Sequence, residues 1–114
     1  MSGMTPLDLR VRRCKSGATV ITVSGEIDLD SSVRLREKLI SAVERGTTVL
    51  DLAGVGFCDS NGMQVLLEAE HAGRANGSVL RLAAVPTAVE RVLEMSMTLD
   101  VFDVYPDVEA ALKD

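Results

Sequence analysis

The chain has 114 residues, 46% of them apolar and only three aromatic, with 12 basic and 17 acidic side chains and a net charge of −5. That length suits one domain able to bury roughly two thirds of its unfolded surface, and it leaves no room for a catalytic domain beside a separate regulatory one. The charge repels phosphate backbones and anionic lipid, stacking platforms are scarce, and no apolar run approaches the ~18 residues of a membrane span, so neither direct nucleic-acid binding nor membrane insertion is expected. Two cysteines, Cys14 and Cys58, with no apolar leader after Met1, fit a reducing cytoplasm better than a secreted disulfide framework.

Leu7, Leu9 and Val11 alternate with Asp8, Arg10 and Arg12, the period of a strand with one wet face, and place an edge strand first. After a turn at Ser16-Gly17, the β-branched run from Thr19 to Ser24 suits a sheet interior, and Gly25-Glu26-Ile27-Asp28 closes it. A helix follows from Ser31 or Ser32 to Arg45, with Leu35, Leu39, Ala42 and Val43 on one stripe, Asp28 and Asp30 near its positive start and Gly46 as its stop. Thr48 to Leu52, extended by Val55-Gly56-Phe57-Cys58, forms a strand that ends on the polar cluster Asp59-Ser60-Asn61-Gly62, where a second helix begins. That helix runs to about Ala72, buries Val65, Leu66 and Ala69, and breaks over Gly73-Arg74-Ala75-Asn76-Gly77. Val79 to Ala83 is the next strand. Pro86 fits the first position of a third helix with Val89, Val92 and Leu93 inward, before a last strand from Val101 to Tyr105 and a terminal helix from Asp107 to Leu112.

The order β-β-α-β-α-β-α-β-α predicts an α/β fold, its sheet mixed but mostly parallel, with an antiparallel N-terminal edge strand and about four helices packed on it. Such layered folds host many functions, so the chemistry has to come from particular residues.

Most familiar chemistry is missing. His71 and the two distant cysteines show no metal-ligand spacing, and no metal or other cofactor is expected. His71 also lies near the expected end of the second helix, where a cation suits the negative pole, which makes it a structural histidine. No Gly-x-Ser-x-Gly elbow occurs, and His71 stands eleven residues beyond Ser60, three helical turns away, so no catalytic residue is assigned and the chain is not expected to be an enzyme. A phosphate-binding loop and a dinucleotide fingerprint both fail, since Gly54-x-Gly56 lacks a third glycine in register. A receiver domain of two-component signalling would need an acidic pair that the stretch from Leu9 to Cys14 does not offer. Asn76-Gly77-Ser78 matches a glycosylation sequon, but without a secretory leader it is a helix-ending turn.

Asp59-Ser60-Asn61-Gly62 remains. A serine at the mouth of a helix is ordinarily a cap, worth about 1 kcal/mol against alanine. Its functional alternative is a phosphate acceptor: the hydroxyl stands at a strand-to-helix corner, and free N–H groups at the helix start would hold an added phosphate of about −1.5 to −2 charges. Asn61 with Gln64 three residues on would serve as a capping pair that leaves Ser60 outside the helix and accessible.

At this corner the sequence resembles the STAS domains, and among them the bacterial anti-sigma factor antagonists. Gly25-Glu26-Ile27-Asp28 is similar to the family's turn after its second strand. Residues 51–60, ending in Phe57-Cys58-Asp59-Ser60, resemble its third strand and phosphorylation corner. Pro86-Thr87-Ala88-Val89-Glu90-Arg91-Val92-Leu93 resembles its third helix, and Val101-Phe102 with Val104-Tyr105-Pro106 its last strand and exit. The resemblance implies a single STAS domain over residues 1–114. It also implies a cytoplasmic module whose Ser60, when unphosphorylated, lets it bind an anti-sigma factor and so free a sigma factor. That anti-sigma factor would be a serine kinase of the histidine-kinase-like ATPase fold, phosphorylation would release the antagonist, and a metal-dependent serine phosphatase would reset it. Asp28 and Asp59 match the acids beside the acceptor, and Asn61, Gly62 and Met63 part of the docking surface.

Three departures stand out: Asn61 replaces a second hydroxyl residue, Met63 and Gln64 replace Leu-Gly, and Met97 stands where many members carry glycine, which predicts a reshaped loop. Two other readings stay open, a constitutive scaffold subunit of a transport or stress-signalling assembly and a small-molecule or nucleotide sensor. Oligomeric state is left open too.

Overall fold

The computed structural model describes residues 6–113. Residues 1–5 and 114, which the expected domain includes, lie outside the described residues. β1 (Asp8–Arg13) pairs antiparallel with β2 (Thr19–Ile27), and β3 (Thr48–Cys58), β4 (Leu80–Ala83) and β5 (Asp103–Tyr105) follow in parallel, in the spatial order β1-β2-β3-β4-β5. The short turn at Ser16-Gly17 permits the antiparallel pair, whereas each parallel pair needs a crossover. Those are supplied by α1 (Leu29–Arg45), α2 (Ser60–Ala75) and α3 (Thr87–Met95), and α4 (Val108–Lys113) ends the fold. This is the mixed sheet with an antiparallel N-terminal edge and four helices that the periodicity predicts.

Alternation along the strands sends Ile21, Val23, Leu50, Leu52, Leu80 and Leu82 to one face, where Leu35 and Leu39 of α1, Leu66 of α2 and Val89 and Leu93 of α3 close over them. Each buried leucine contributes about 1.5–3 kcal/mol by leaving water. On the other face Val20, Val49 and Ala83 pack against Ala111 of α4, which Arg81 pins by donating from Nη1 to the Ala111 carbonyl at 2.8 Å. α4 has six residues and reaches only part of that face, so Thr22 stays exposed.

Several boundaries differ from the sequence reading for local reasons. α1 starts at Leu29, two or three residues early, because Asp28 is its cap and Ser31 its third residue. α2 passes through the buried Gly73 to Ala75 before Asn76 caps it. Pro86 is the cap of α3 rather than its first helical residue, and Leu99–Val101 form a 3-10 turn that delays β5 to Asp103.

Met97 leaves the loop after α3 in an ordinary shape. Thr98 N–H donates to the Leu93 carbonyl at 2.8 Å and Met97 N–H to that of Glu94 at 3.0 Å, the bond pattern of a helix terminated by one left-handed residue. Met97 occupies that position with φ of 60°, so the backbone keeps a glycine's geometry instead of being reshaped. Met97→Gly is expected to stabilise the protein by about 0.5–1 kcal/mol, read as a higher urea midpoint.

The contacts that matter for the site lie at the ends of β2 and β3. Between the pairs Thr22↔Asp51 and Ile27↔Cys58, β2 advances five residues and β3 seven, through register shifts at Thr22/Ser24 and Gly25/Glu26. These bulges bring Asp59, not Phe57, beside Asp28. α2 then starts directly over both strand ends: a Cβ at Gly62 would lie 2.6 Å from Cys58 Sγ and 2.6 Å from Ile27 Cγ2. Gly62→Ala is expected to cost about 1–3 kcal/mol by overpacking, seen as a lower urea midpoint at unchanged slope.

Candidate functional site

Two strand-to-helix corners stand side by side. Asp59 N–H donates to the Ile27 carbonyl at 3.1 Å, carrying the β2–β3 ladder one step past the strands. Each corner is capped by an aspartate. Asp28 Oδ1 accepts from Ser31 N–H at 2.9 Å while Asp28 N–H donates to Ser31 Oγ at 2.9 Å, a reciprocal box that satisfies two backbone donors. The Ser31 backbone N–H, followed by the Ser31 hydroxyl, holds the Asp28 carboxyl below the usual carboxylate range.

Asp59 caps α2 more fully. Its Oδ1 accepts from Asn61 N–H at 2.9 Å and Gly62 N–H at 3.1 Å, its carbonyl accepts from Met63 N–H, and its Oδ2 accepts from Asn61 Nδ2 at 3.3 Å. Ser60 is therefore the first helical residue and not the cap. Its side chain is exposed, and the hydroxyl makes no hydrogen bond among the described residues. Nor do Asn61 and Gln64 form a capping pair: Asn61 is the second residue of the helix and Gln64 is exposed.

The expected cradle for a phosphate is also mostly claimed: of the four N–H groups that a helix start leaves free, those of Asn61 and Gly62 are bonded to the Asp59 carboxylate and that of Asp59 to the Ile27 carbonyl. A charge added at Ser60 would stand in the open beside Asp59 and Asp28.

The structure gathers Asp28, Asp59, Ser60, Asn61, Gly62 and Met63 at one corner, in unequal roles. Gly62 is buried and belongs to the packing beneath the surface, Asn61 is half-buried with its amide on Asp59, and Met63 lines a shallow groove of about 250 Å³ with Ser60, Val92, Met95 and Ser96. Periodicity missed the apolar surface around them. Leu29 (65% exposed), Val33 (58%), Phe57 (42%) and Met95 (84%) are large side chains left in water. Leu29 follows Asp28 and Val33 lies one turn on, off the stripe of Leu35 and Leu39; two apolar residues four apart on the wrong face of a helix were the available signal.

Nothing here has the makings of a metal centre: among the described residues no three His, Cys, Asp or Glu side chains converge on one point. His71 is exposed and stands four residues before the last residue of α2, not at its end. No helix among the described residues is long and apolar enough to cross a membrane.

The sequence model of the STAS domain matches residues 10–111. The chain belongs to the STAS domain family. This STAS domain is 27% identical over 94 residues to the anti-sigma-B factor antagonist of Bacillus subtilis (strain 168), a match covering 82% of this chain and 86% of that protein. It is 28% identical over 99 residues to the anti-sigma F factor antagonist of Paenibacillus polymyxa, covering 84% and 85%. A crystal structure of an anti-sigma factor antagonist from Mycobacterium paratuberculosis shares the fold at a TM-score of 0.83 and 24% identity, over 95% of this chain and 92% of that one.

Beneath the corner, burial first and then the neighbouring Asp59 charge push the Cys58 thiol up to about 11. With Cys58 buried and Cys14 half-buried at the other end of the sheet, iodoacetamide near pH 8 is expected to label Cys14 in the folded domain and to spare Cys58 until urea is added, as read by peptide mass spectrometry.

Proposed function

We propose that this STAS domain works by binding rather than catalysis, as a cytoplasmic anti-sigma factor antagonist whose grip on its partner ends when Ser60 is phosphorylated. The observation that carries this is the division of labour at the corner: Asp59 does the capping, and the Ser60 hydroxyl is left exposed, unbonded and at the lip of an apolar groove. The names of the two curated relatives support the antagonist reading. Leu29, Val33, Phe57, Met63 and Met95 offer the partner surface, with Asp28 and Asp59 setting its charge.

The partner is an anti-sigma factor that is also a serine kinase of the histidine-kinase-like ATPase fold. Its bound nucleotide and metal supply the phosphoryl chemistry, and Ser60 is the substrate. The product carries about −1.5 to −2 charges. With the amides of Asn61 and Gly62 engaged by Asp59, that charge points into the interface and is repelled by Asp28 and Asp59. Release follows from electrostatics and desolvation at the surface, with the fold unchanged. A metal-dependent serine phosphatase resets the site.

The test is a tagged pull-down from the native cells with wild type, Ser60→Ala and Ser60→Asp, and mass spectrometry of partners and of the Ser60 peptide. An ATPase retained by the alanine form and lost from the aspartate form is expected, with phosphate on Ser60 of the wild type. Because the hydroxyl makes no hydrogen bond among the described residues, both variants should stay within about 0.5 kcal/mol of wild type in stability, so lost binding is not lost folding. Identical partners for all three forms would instead make the domain a constitutive scaffold.

A further inference from the structure

Two Asn-Gly pairs occur in the chain, Asn61-Gly62 at the first turn of α2 and Asn76-Gly77 at its end. Such a pair can rearrange without an enzyme. The backbone nitrogen of the glycine attacks the asparagine Cγ, the new N–Cγ bond closes a five-membered imide, and the Cγ–Nδ2 bond breaks to release ammonia, which carries off the amide proton. Water then adds across either imide C–N bond, leaving aspartate or its backbone-lengthened isomer. Glycine favours the attack because no Cβ hinders its nitrogen. We propose that Asn61 is a latent deamidation site that Asp59 holds closed.

In both pairs the reacting groups are hydrogen-bonded, so bond count alone does not separate them. At the exposed end of α2, Asn76 Nδ2 donates to the Ala72 carbonyl at 3.0 Å and Gly77 N–H to the Arg74 carbonyl at 3.1 Å. Both residues are exposed, and a Cβ on Gly77 would meet nothing within 4 Å, so this turn is free to rotate into the attacking geometry. At the first turn of α2 the acceptor is instead the carboxylate of a single residue. Asp59 Oδ1 accepts a hydrogen bond from the nucleophile, Gly62 N–H, at 3.1 Å, and Asp59 Oδ2 accepts one from the leaving group, Asn61 Nδ2, at 3.3 Å. Charge-assisted bonds are the stronger kind.

Gly62 is also wedged against Cys58 and Ile27, so turning its peptide towards Asn61 Cγ unseats the start of the helix. Conversion of Asn61 would place a permanent carboxylate, or an extra backbone carbon, one residue from Ser60. The lock is independent of whether Ser60 accepts a phosphate.

The experiment ages the purified full chain at mildly alkaline pH, folded and in urea, beside Asp59→Ala and Asp59→Ser, and follows replacement of amide by acid at each asparagine by peptide mass spectrometry. Serine keeps a capping oxygen for the backbone but has no second oxygen for the Asn61 amide, and folding of each variant is checked by circular dichroism. In folded wild type, Asn76 is expected to convert, and Asn61 to convert roughly tenfold or more slowly than in urea, since two bonds must break before attack. In the folded Asp59 variants Asn61 should convert several-fold faster than in folded wild type, while the packing of Gly62 keeps it below its rate in urea; if the alanine form does not fold, the serine form decides. The proposal is overturned if Asn61 converts as fast in folded wild type as in urea, or if it is no faster in the folded Asp59 variants than in folded wild type.

Discussion

The seating of the first turn of α2 on the ends of β2 and β3 governs most of what is distinctive here. Two extra residues in β3 bring Cys58 opposite Ile27, and Asp59 then reaches across to the Ile27 carbonyl while its carboxylate closes the helix above. The approach is so close that any side chain at position 62 would have to displace Cys58 or Ile27. Buried packing, not the surface, therefore sets where Ser60 stands, and core side chains such as Ile27 and Leu66 hold that position with the full stiffness of a close-packed interior.

Capping and exposure are separate duties at this corner, and the separation has a physical reason. A serine that caps a helix points its oxygen back at the backbone, and a reacting enzyme would have to break that bond. Asp59 relieves Ser60 of the task, and because it binds backbone donors through one oxygen it still has the other for Asn61. The same assignment leaves few free amides to neutralise an anion at Ser60. A helix start is often read as an anion site, but that reading assumes unclaimed N–H groups, and here a neighbouring carboxylate has claimed them first.

The layers of the fold were legible because they rest on composition and periodicity, the sheet through alternation in Leu7 to Arg12 and the β-branched run from Thr19 to Ser24, and the helices through stripes such as Leu35, Leu39 and Val43. Boundaries were less so. Asp28 read as a charge near a helix start, yet it is the cap, and choosing between it and Ser31 needs the reciprocal bonds that only the folded corner shows. The site residues were legible as a cluster, while their roles were not: Gly62 looked like surface and proved to be the point of closest packing, since what a missing Cβ would strike is a tertiary fact. Leu29, Val33 and Met95 went unnoticed because a search for buried stripes discards the apolar residues that fall outside them.

A rigid corner limits the kinds of switch it can host. Rotating the first turn of α2 would drag Gly62 against Cys58 and Ile27 and break the bonds from Asp59, several interactions of about 1 kcal/mol each lost together. A surface charge needs no such movement to act: it changes what an approaching molecule meets while every contact beneath stays in place. The acids at the two caps stand beside it, and the Ser31 box holds Asp28 in its charged form to lower pH than an ordinary carboxylate. The corner thus keeps its shape by packing, and a charge placed on it would be felt by whatever meets the exposed apolar side chains around it.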